Sequence, residues 1–408
     1  MRNVSNLLAP QEPERHLFPS PSISPLPSLG LMALAMGISV ANPYYAQSLL
    51  PSVEAVFGLP AGRVLLGPMA TQLGMAAGFL LLLPLGDGSE RRRMLTLLAI
   101  GMALACGAVV LAPTFPVLVV SWFALGVVAL IPALLPPFLT ALTPEHQRGR
   151  MLGIVLSGQF SGILLSRSIS GVVAQLWGWR AIYAISAMAM VAMALLFRRL
   201  LPAMPPADTR SYWSLQRSLV QLWCAHARLR RSCFTQALLF GSFMALWSAV
   251  ALHLGGAPWR LGPGLIGSFG LVGLISILAA PWVGRLVDRY GPDRIVGWGV
   301  ICTGLGVDVL ALWPSSLPAL ALGLMAVDLG VQGSFVANQA RIYGIDQAAR
   351  SRMSGQLFLT AYLGAAVCSV VISMFWSIWQ WPGTTAFALI LVTMAFVLER
   401  RGSGMNQS

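Results

Sequence analysis

Long apolar runs separated by short polar loops dominate the chain and set its fold class. Each run holds about the 20 residues that a helix needs to cross a bilayer core of about 30 Å. The runs do not alternate apolar and polar positions, which disfavours the strands of a membrane barrel. The pattern therefore predicts twelve membrane-spanning helices, over 28–50, 64–84, 94–112, 116–138, 152–174, 181–197, 233–254, 264–284, 295–313, 317–338, 353–376 and 384–398.

Composition supports a chain that lies mostly in lipid. Of its 408 residues 57% are hydrophobic and only 10% are charged, whereas a soluble domain carries about 25% charged residues. The net charge of +13 is distributed in short bursts between the apolar runs. A nucleic-acid-binding protein would instead cluster its charge on one soluble basic face. The predicted surrounding is therefore the lipid bilayer, and no nucleic-acid partner is expected.

The distribution of arginine predicts the orientation. With both termini placed in the cytoplasm, 22 of the 26 arginines fall in cytoplasmic segments, and there is no lysine. This bias follows the positive-inside rule and predicts a multi-pass membrane protein with both termini in the cytoplasm. The proline-rich segment 1–27 is predicted to be a disordered cytoplasmic tail, and 399–408 is predicted to be a second cytoplasmic tail.

A repeated hexapeptide divides the chain into two halves. "RGRMLG" at 148–153 recurs as "RSRMSG" at 350–355, which is 350 − 148 = 202 positions later. Six apolar runs lie on each side of the chain's middle, and such long internal repeats are typical of secondary transporters. The predicted domains are two six-helix bundles, 28–200 and 233–398, joined by a cytoplasmic linker, 201–232. An amphipathic stretch of the linker is predicted to lie on the membrane surface.

The loop after the eighth run carries a family motif. "GRLVDRYGPDR" matches the major facilitator signature G-x-L-x-D-R-x-G-x-x-R at Gly284, Leu286, Asp288, Arg289, Gly291 and Arg294. Its counterpart, "LPLGDGSERRR", keeps Asp87 and a run of three arginines. The chain resembles the twelve-helix transporters of the major facilitator superfamily, and more narrowly a bacterial branch near the drug:proton antiporters. The resemblance implies an all-α membrane fold of two pseudo-symmetric six-helix bundles. It also implies that the protein works as a monomer.

The same loops contain candidates for a conformational latch. A carboxylate at a helix end, facing an arginine or a helix N-terminus, makes a contact that can break when the halves move. Glycines in such a loop allow helices to approach closely. The alternative is that the arginines only anchor the topology. The predicted latch residues are Asp87, Arg91, Arg92, Arg148, Arg150, Gly284, Asp288, Arg289, Gly291, Arg294, Arg350 and Arg352.

Three charges inside the predicted spans have no charged counterpart in the other half. A charge at the bilayer centre costs at least about 2.5–3.5 kcal/mol, so such residues are functional candidates. Asp328 corresponds to Gly126 and is predicted to take up and release protons; a structural carboxylate is the alternative. Arg167 corresponds to Ser369 and is predicted to be a fixed charge for an anionic substrate or a counter-ion, with a structural contact equally open. Asp308 is expected at the outer interface.

Polar residues near these charges are predicted to line a substrate cavity. On the tenth helix Gln332 and Gln339 share a face with Asp328. On the first helix, Asn42 and Tyr45 share one face while Tyr44 and Gln47 share another, next to a proline break that suits a binding site. Lipid-facing or interfacial packing is the alternative for the aromatic residues. The predicted cavity residues are Asn42, Tyr45, Gln47, Arg167, Gln236, Trp247, Gln332 and Gln339.

Motifs of other functional classes are missing from the sequence. It contains no HExxH, no GxSxG and no Walker A sequence, and its four histidines lack metal-ligand spacing. The prediction is therefore a transporter rather than an enzyme, without a cofactor. Its predicted activity is proton-coupled export of small molecules by alternating access, as an antiporter. An importer or uniporter on the same fold, and more remotely a non-transporting sensor, are the alternatives.

Overall fold

Helices form nearly all of the part of the chain that the structure describes. The computed structural model describes residues 29–87, 89–144, 147–204, 212–345 and 349–404, and within them there is no strand. The predicted tail 1–27 lies outside the described residues. The helices follow the apolar runs of the sequence, and we number the resulting membrane spans in chain order.

The helices of the first half form spans 1 to 6. They are span 1 (Leu29–Ala41, the 3₁₀ turn Asn42–Tyr44, and Ala46–Phe57), span 2 (Ala61–Val64 and Leu66–Leu81, followed by the short helix Leu83–Asp87), span 3 (Arg91–Leu111), span 4 (Phe115–Val128 and Ile131–Leu142), span 5 (Arg148–Trp177) and span 6 (Arg180–Leu200).

The second half begins with a separate helix, Tyr212–Ala225, which we call the linker helix. The spans that follow are span 7 (Ala227–Gly255), span 8 (Pro263–Ser268, the 3₁₀ turn Phe269–Gly273, and Leu274–Tyr290), span 9 (Pro292–Leu312), span 10 (Leu317–Tyr343), and spans 11 and 12, which form one stretch (Arg350–Gly404) divided at Gln380.

The described helices account for twelve crossings. By length and apolar composition eight qualify as membrane spans, or ten when two bent helix pairs are each counted as one span. The stretch Arg352–Arg401 contains 50 residues, or about 75 Å of helix, and Gln380 interrupts it with φ 48°. It is therefore long enough to cross twice. The interrupted helix over 263–290 supplies the remaining span at the predicted position.

Two spans are interrupted next to a proline, and the first of these breaks is the one predicted from the sequence. Span 1 bends by 40° between Leu29–Tyr44 and Ala46–Phe57, with Pro43 inside the 3₁₀ turn. Span 4 is interrupted after Val128 and restarts with Pro132 in its first turn. Proline lacks the N–H that would bond the carbonyl four residues earlier, so the helix yields there. Residues at both breaks line a cavity.

Two predicted boundaries shift. Span 7 begins at Ala227, so the last residues of the predicted linker belong to its first turns. The predicted C-terminal tail begins at Glu399, but that residue is 6% exposed and lies within the final helix. Glu399 therefore belongs to the folded bundle rather than to a tail. The reason is a set of ion pairs to spans 7 and 10, which a reading of hydropathy alone does not detect.

The two halves touch closely at one end of the spans. A Cβ atom on Gly171 of span 5 would lie 2.3 Å from the carbonyl oxygen of Pro263 at the start of span 8. One on Gly267 of span 8 would lie 2.4 Å from the carbonyl oxygen of Arg167. The Ser168 hydroxyl also donates to the carbonyl of Gly267 at 2.9 Å. Only glycine permits such backbone contact, and it closes this end of the molecule.

Candidate functional site

A cavity of about 610 Å³ lies between the two halves. Spans 1, 2, 4 and 5 of the first half and spans 7, 8, 10 and 11 of the second contribute to its wall. From the buried charges the lining continues to Leu152, Tyr343 and Ser354, near the helix ends that carry the arginine-rich loops. The opposite end is closed by the glycine contacts of spans 5 and 8. The cavity is thus open toward the predicted cytoplasmic face.

Arg167 and Asp328, which both line this cavity, contact the same aromatic side chain. The Arg167 guanidinium carbon lies 4.1 Å from the ring centroid of Trp247, and the indole Nε1 of Trp247 donates to Oδ1 of Asp328 at 2.9 Å. Arg167 and Asp328 are 3% and 4% exposed. They make no direct ion pair in the described structure, because the ring of Trp247 contacts the cation with its face and the carboxylate with its edge.

The guanidinium of Arg167 is only partly satisfied. Its Nε donates to Oε1 of Gln47 at 2.7 Å, while its buried Nη2 has no hydrogen-bond partner among the described residues. Gln47 itself is held by a contact of its amide nitrogen with the Met244 sulfur at 3.1 Å. A buried donor without an acceptor costs about 1–3 kcal/mol or more when charged. Such a donor on a cavity wall is suited to an acceptor group that comes from outside the protein.

One face of span 10 forms much of the cavity wall. Asp328, Gln332, Phe335 and Gln339 all line it, as their spacing on one helical face requires. Asp328 is the only carboxylate on this wall among the described residues. Gln236 of span 7 also lines the cavity, and its Oε1 accepts a hydrogen bond from Asn338 of span 10 at 3.2 Å. No cluster of three His, Cys, Asp or Glu side chains in the described ranges is arranged to hold a metal ion.

Two predicted cavity residues on span 1 lie elsewhere. Asn42 accepts hydrogen bonds from Ser186 and from Cys106, and Tyr45 packs edge-on against Tyr183 with ring centroids 5.9 Å apart. Both residues are buried inside the first bundle, outside the cavity lining. The bend at Pro43 instead turns the other face of span 1 inward. Tyr44 lines the cavity. Gln47 and Trp247, which were also predicted to line it, do not, and they instead contact Arg167.

A buried ionic network, which sequence reasoning missed, lies in the second half at the loop-bearing ends of its helices. Arg341 of span 10 forms a bidentate pair with Glu399 of span 12, at 3.1 and 2.9 Å. Its Nε lies 2.9 Å from Oδ1 of Asp293 at the start of span 9. Arg231 and Arg228 of span 7 also pair with Asp293. One signal in the sequence could have revealed this network. Residues of opposite charge lie at helix ends that are predicted to be on the same side of the membrane.

The charged residues of the predicted latch separate into four groups. Asp288, Arg289 and Arg294 are exposed, and Asp288 makes no hydrogen bond or ion pair with a described residue. Arg92 pairs with its neighbour Glu90 at 3.2 Å. Partly buried residues are Arg91 and Arg352. The side chains of Asp87, Arg148, Arg150 and Arg350 lie outside the described part of the chain.

The two latch glycines differ from each other. Gly291 has φ +80°, a backbone conformation that L side chains rarely adopt, at the turn between spans 8 and 9. A Cβ on Gly284 would meet nothing within 4 Å. These glycines were expected to let helices approach closely. Gly284 does not do so in this conformation, because no neighbouring helix packs against it.

Membrane-spanning helices that surround a charged cavity reaching the middle of the bilayer define a membrane transporter. A sequence profile described as the Major Facilitator Superfamily matches residues 28–279. The chain is 32% identical over 372 residues to YgaY, an uncharacterised transporter of Escherichia coli O157:H7, covering 90% of this chain and 92% of YgaY. It is 28% identical to "Probable transporter SCO4007" of Streptomyces coelicolor, over 88% and 84% of the two chains.

A solved structure also matches the fold. A POT family transporter in complex with a thioalcohol-conjugated peptide superposes with a TM-score of 0.74 at 14% identity, covering 93% of this chain and 96% of the other. The chain belongs to the Major Facilitator Superfamily, and it is a multi-pass membrane transporter of that type. Its all-α fold of two six-helix bundles agrees with the fold predicted from the sequence.

Proposed function

We propose that the protein is a proton-coupled exporter that exchanges small molecules for protons by alternating access, with Asp328 as the coupling carboxylate. The observation that carries this proposal is the position of Asp328. It is the only carboxylate on the cavity wall among the described residues, and it is buried beside a fixed cation on span 5. The other titratable groups on that wall are Arg167, Tyr44, Tyr343 and Tyr362.

The chemistry of these groups leaves Asp328 as the proton carrier. Arginine does not deprotonate usefully in proteins, and tyrosine ordinarily titrates near pH 10. A carboxylate can hold either a proton or a substrate cation, and competition between the two is the simplest form of antiport. The proton supplies about 2.3 kcal/mol for each 100 mV of membrane potential, which drives the substrate outward.

The test is substitution of Asp328 by asparagine in inverted membrane vesicles. Asp328→Asn keeps the shape of the side chain but cannot release a proton. Accumulation driven by a pH gradient, measured against a panel of metabolites and drugs, should disappear, while exchange of substrate down its own gradient should persist at a reduced rate, because the amide no longer binds the substrate cation. The matched control is Asp308→Asn, because Asp308 is exposed on span 9 and should leave accumulation unchanged.

Two results would contradict the proposal. A well-expressed Asp328→Asn protein that still concentrates substrate in response to the pH gradient would exclude Asp328 as the coupling group. Loss of the variant from the membrane would instead indicate a structural carboxylate, because breaking a buried charge contact costs about 3–5 kcal/mol.

The same proposal places the protein in the bacterial inner membrane with both termini in the cytoplasm and one chain as the functional unit. The arginine bias supports the orientation. Both halves of this chain contribute to the cavity wall, as a transporter that works as a monomer requires. Labelling of single cysteines from each side of the membrane tests this orientation.

A further inference from the structure

The charge pattern of the cavity specifies more than a proton site. If a substrate competes with the proton for Asp328, the group that replaces the proton must be a cation. An ammonium group fits, because the carboxylate has one oxygen bonded to Trp247 and its second oxygen has no partner in the described structure. This argument rests on the proposed antiport function.

The unpartnered donor of Arg167 requires a second group on the same molecule. When an ammonium neutralises Asp328, the guanidinium loses its counter-charge while remaining 3% exposed. A buried charge without a counter-ion is unfavourable, so a molecule that also carries an acceptor anion binds better than an ammonium alone. The Nη2 of Arg167 has no hydrogen-bond partner among the described residues, and a carboxylate is the group that best matches a guanidinium.

The spacing of the two sites limits the size of this headgroup. Arg167 lies over the face of Trp247, 4.1 Å from its ring centroid, and Asp328 is bonded to the indole nitrogen at the edge of the same ring. The two charged groups are thus separated by about one indole ring. One molecule that carries its ammonium and its carboxylate on the same carbon atom can contact both.

The rest of the cavity wall selects an apolar body. Phe79 of the first half stacks on Phe358 of the second with ring centroids 5.1 Å apart, and Tyr362 lies 5.6 Å from Phe79. The cavity of about 610 Å³ lies within the usual range for small-molecule sites, about 300–1,000 Å³. The aromatic residues that line it are Tyr44, Phe79, Phe240, Phe243, Phe335, Tyr343, Phe358 and Tyr362.

We propose that the substrates are zwitterionic aminocarboxylates with an aromatic or bulky apolar side group. The ammonium binds Asp328, the carboxylate binds Arg167, and the side group packs among the aromatic residues of the wall. Such a substrate adds no net charge to the cavity. It therefore displaces one proton from Asp328 without leaving Arg167 unpaired.

The test compares four probes on the purified full-length protein in lipid nanodiscs, by competition against radiolabelled phenylalanine. Phenethylamine lacks the carboxylate, 3-phenylpropanoate lacks the ammonium, and alanine lacks the ring. Each should bind at least about tenfold more weakly than phenylalanine. The first two lose a hydrogen bond to a charged group, about 1.5–3 kcal/mol, and alanine loses the burial of the ring, also about 1.5–3 kcal/mol. This comparison needs no variant, so it stands even if a substituted protein fails to fold.

Two variants then assign the charges. In Arg167→Gln, phenylalanine and phenethylamine should bind equally. In Asp328→Asn, phenylalanine and 3-phenylpropanoate should bind equally. Arg63→Gln and Asp308→Asn are matched controls, because both side chains are exposed and lie outside the cavity lining; they should keep the wild-type order of affinities.

Several results would overturn the proposal. The first is that the wild-type protein does not bind phenylalanine. The second is that it binds a probe with one charge as tightly as phenylalanine. The third is that the Arg167→Gln and Asp328→Asn variants still bind phenylalanine more tightly than the probes with one charge. If phenylalanine does not bind but another compound shows proton-driven flux that depends on Asp328, the substrate class is wrong and the transport function stands. If no compound on the panel shows such flux, the antiport function itself is wrong.

Discussion

At the scale of single residues, Arg341 shows how the second bundle holds charges in its interior. Its side chain is 0% exposed and is paired with both Glu399 and Asp293. The Glu399 carboxylate also accepts from the Thr235 hydroxyl at 2.6 Å. Each ion loses several kcal/mol of hydration on burial, and only a complete set of partners offsets that loss. Removing one member should therefore cost more than the pair contributes.

We predict that Arg341→Ala destabilises the protein by roughly 3–5 kcal/mol, because two carboxylates would remain buried or half-buried without their central cation. Thermal unfolding of the detergent-purified protein measures the effect. Arg228→Ala is the matched control, since Arg228 belongs to the same network but its side chain is 51% exposed and exposed ion pairs contribute about 0–1 kcal/mol. Equal melting temperatures for the two variants would contradict a structural role for the network.

At the scale of elements, the contact of spans 5 and 8 decides which end of the molecule is closed. The backbones of the two helices touch at Gly171 and Gly267. These spans come from different halves, so their contact must separate when the cavity opens on that side. Close packing of this kind depends on the absence of a side chain. The closed end is therefore sensitive to a single methyl group.

We predict that Gly171→Ala shifts the protein away from the conformation described here, because a Cβ would lie 2.3 Å from the carbonyl oxygen of Pro263. A cysteine-reactive reagent applied from the outside should then reach cavity positions that it does not reach in the wild type. Gly153→Ala on the same span is the control, since a Cβ there meets nothing within 4 Å. Unchanged outside access in Gly171→Ala would exclude this contact as the closing element.

At the scale of the whole molecule, the unpaired state of Asp288 agrees with a latch that is released. The cavity is open toward the end of the spans that carries the 284–294 loop, and Asp288 has no partner among the described residues. A latch that closes this end should engage only when the halves rotate to the other state. Loss of the latch would then favour the conformation in which the cavity is open to the cytoplasm.

We predict that Asp288→Asn increases the labelling rate of a single cysteine at Gln339, which lines the cavity. The reagent is a membrane-impermeant maleimide added to inverted vesicles, with the five native cysteines replaced. A cysteine at the exposed Arg63 should react only in right-side-out vesicles. An unchanged labelling rate at Gln339 would indicate that the loop only anchors the topology. Labelling at Gln339 in right-side-out vesicles and at Arg63 in inverted vesicles would contradict the orientation.

The sequence by itself determined the features that depend on local composition. A run of about 20 apolar residues crosses the membrane whatever its neighbours are, so the spans could be predicted one at a time. Asp328, Gln332 and Gln339 could be assigned to one face because span 10 is a continuous helix over those residues. Both Asp328 and Arg167 could be singled out because a charge inside a span is costly wherever it lies.

Only the tertiary structure decided how the spans face one another. Sequence spacing paired Asn42 with Tyr45 and Tyr44 with Gln47, but the rotation of the bent first span determines that Tyr44 lines the cavity and that Gln47 contacts Arg167. The contact of Trp247 with both Arg167 and Asp328 joins three different helices. Likewise Asp293, rather than Asp288, is the carboxylate of its loop that forms an ion pair, because span 10 places Arg341 next to it. Helical periodicity describes one helix, whereas these contacts depend on the bends and rotations of several, which are set only when the helices pack.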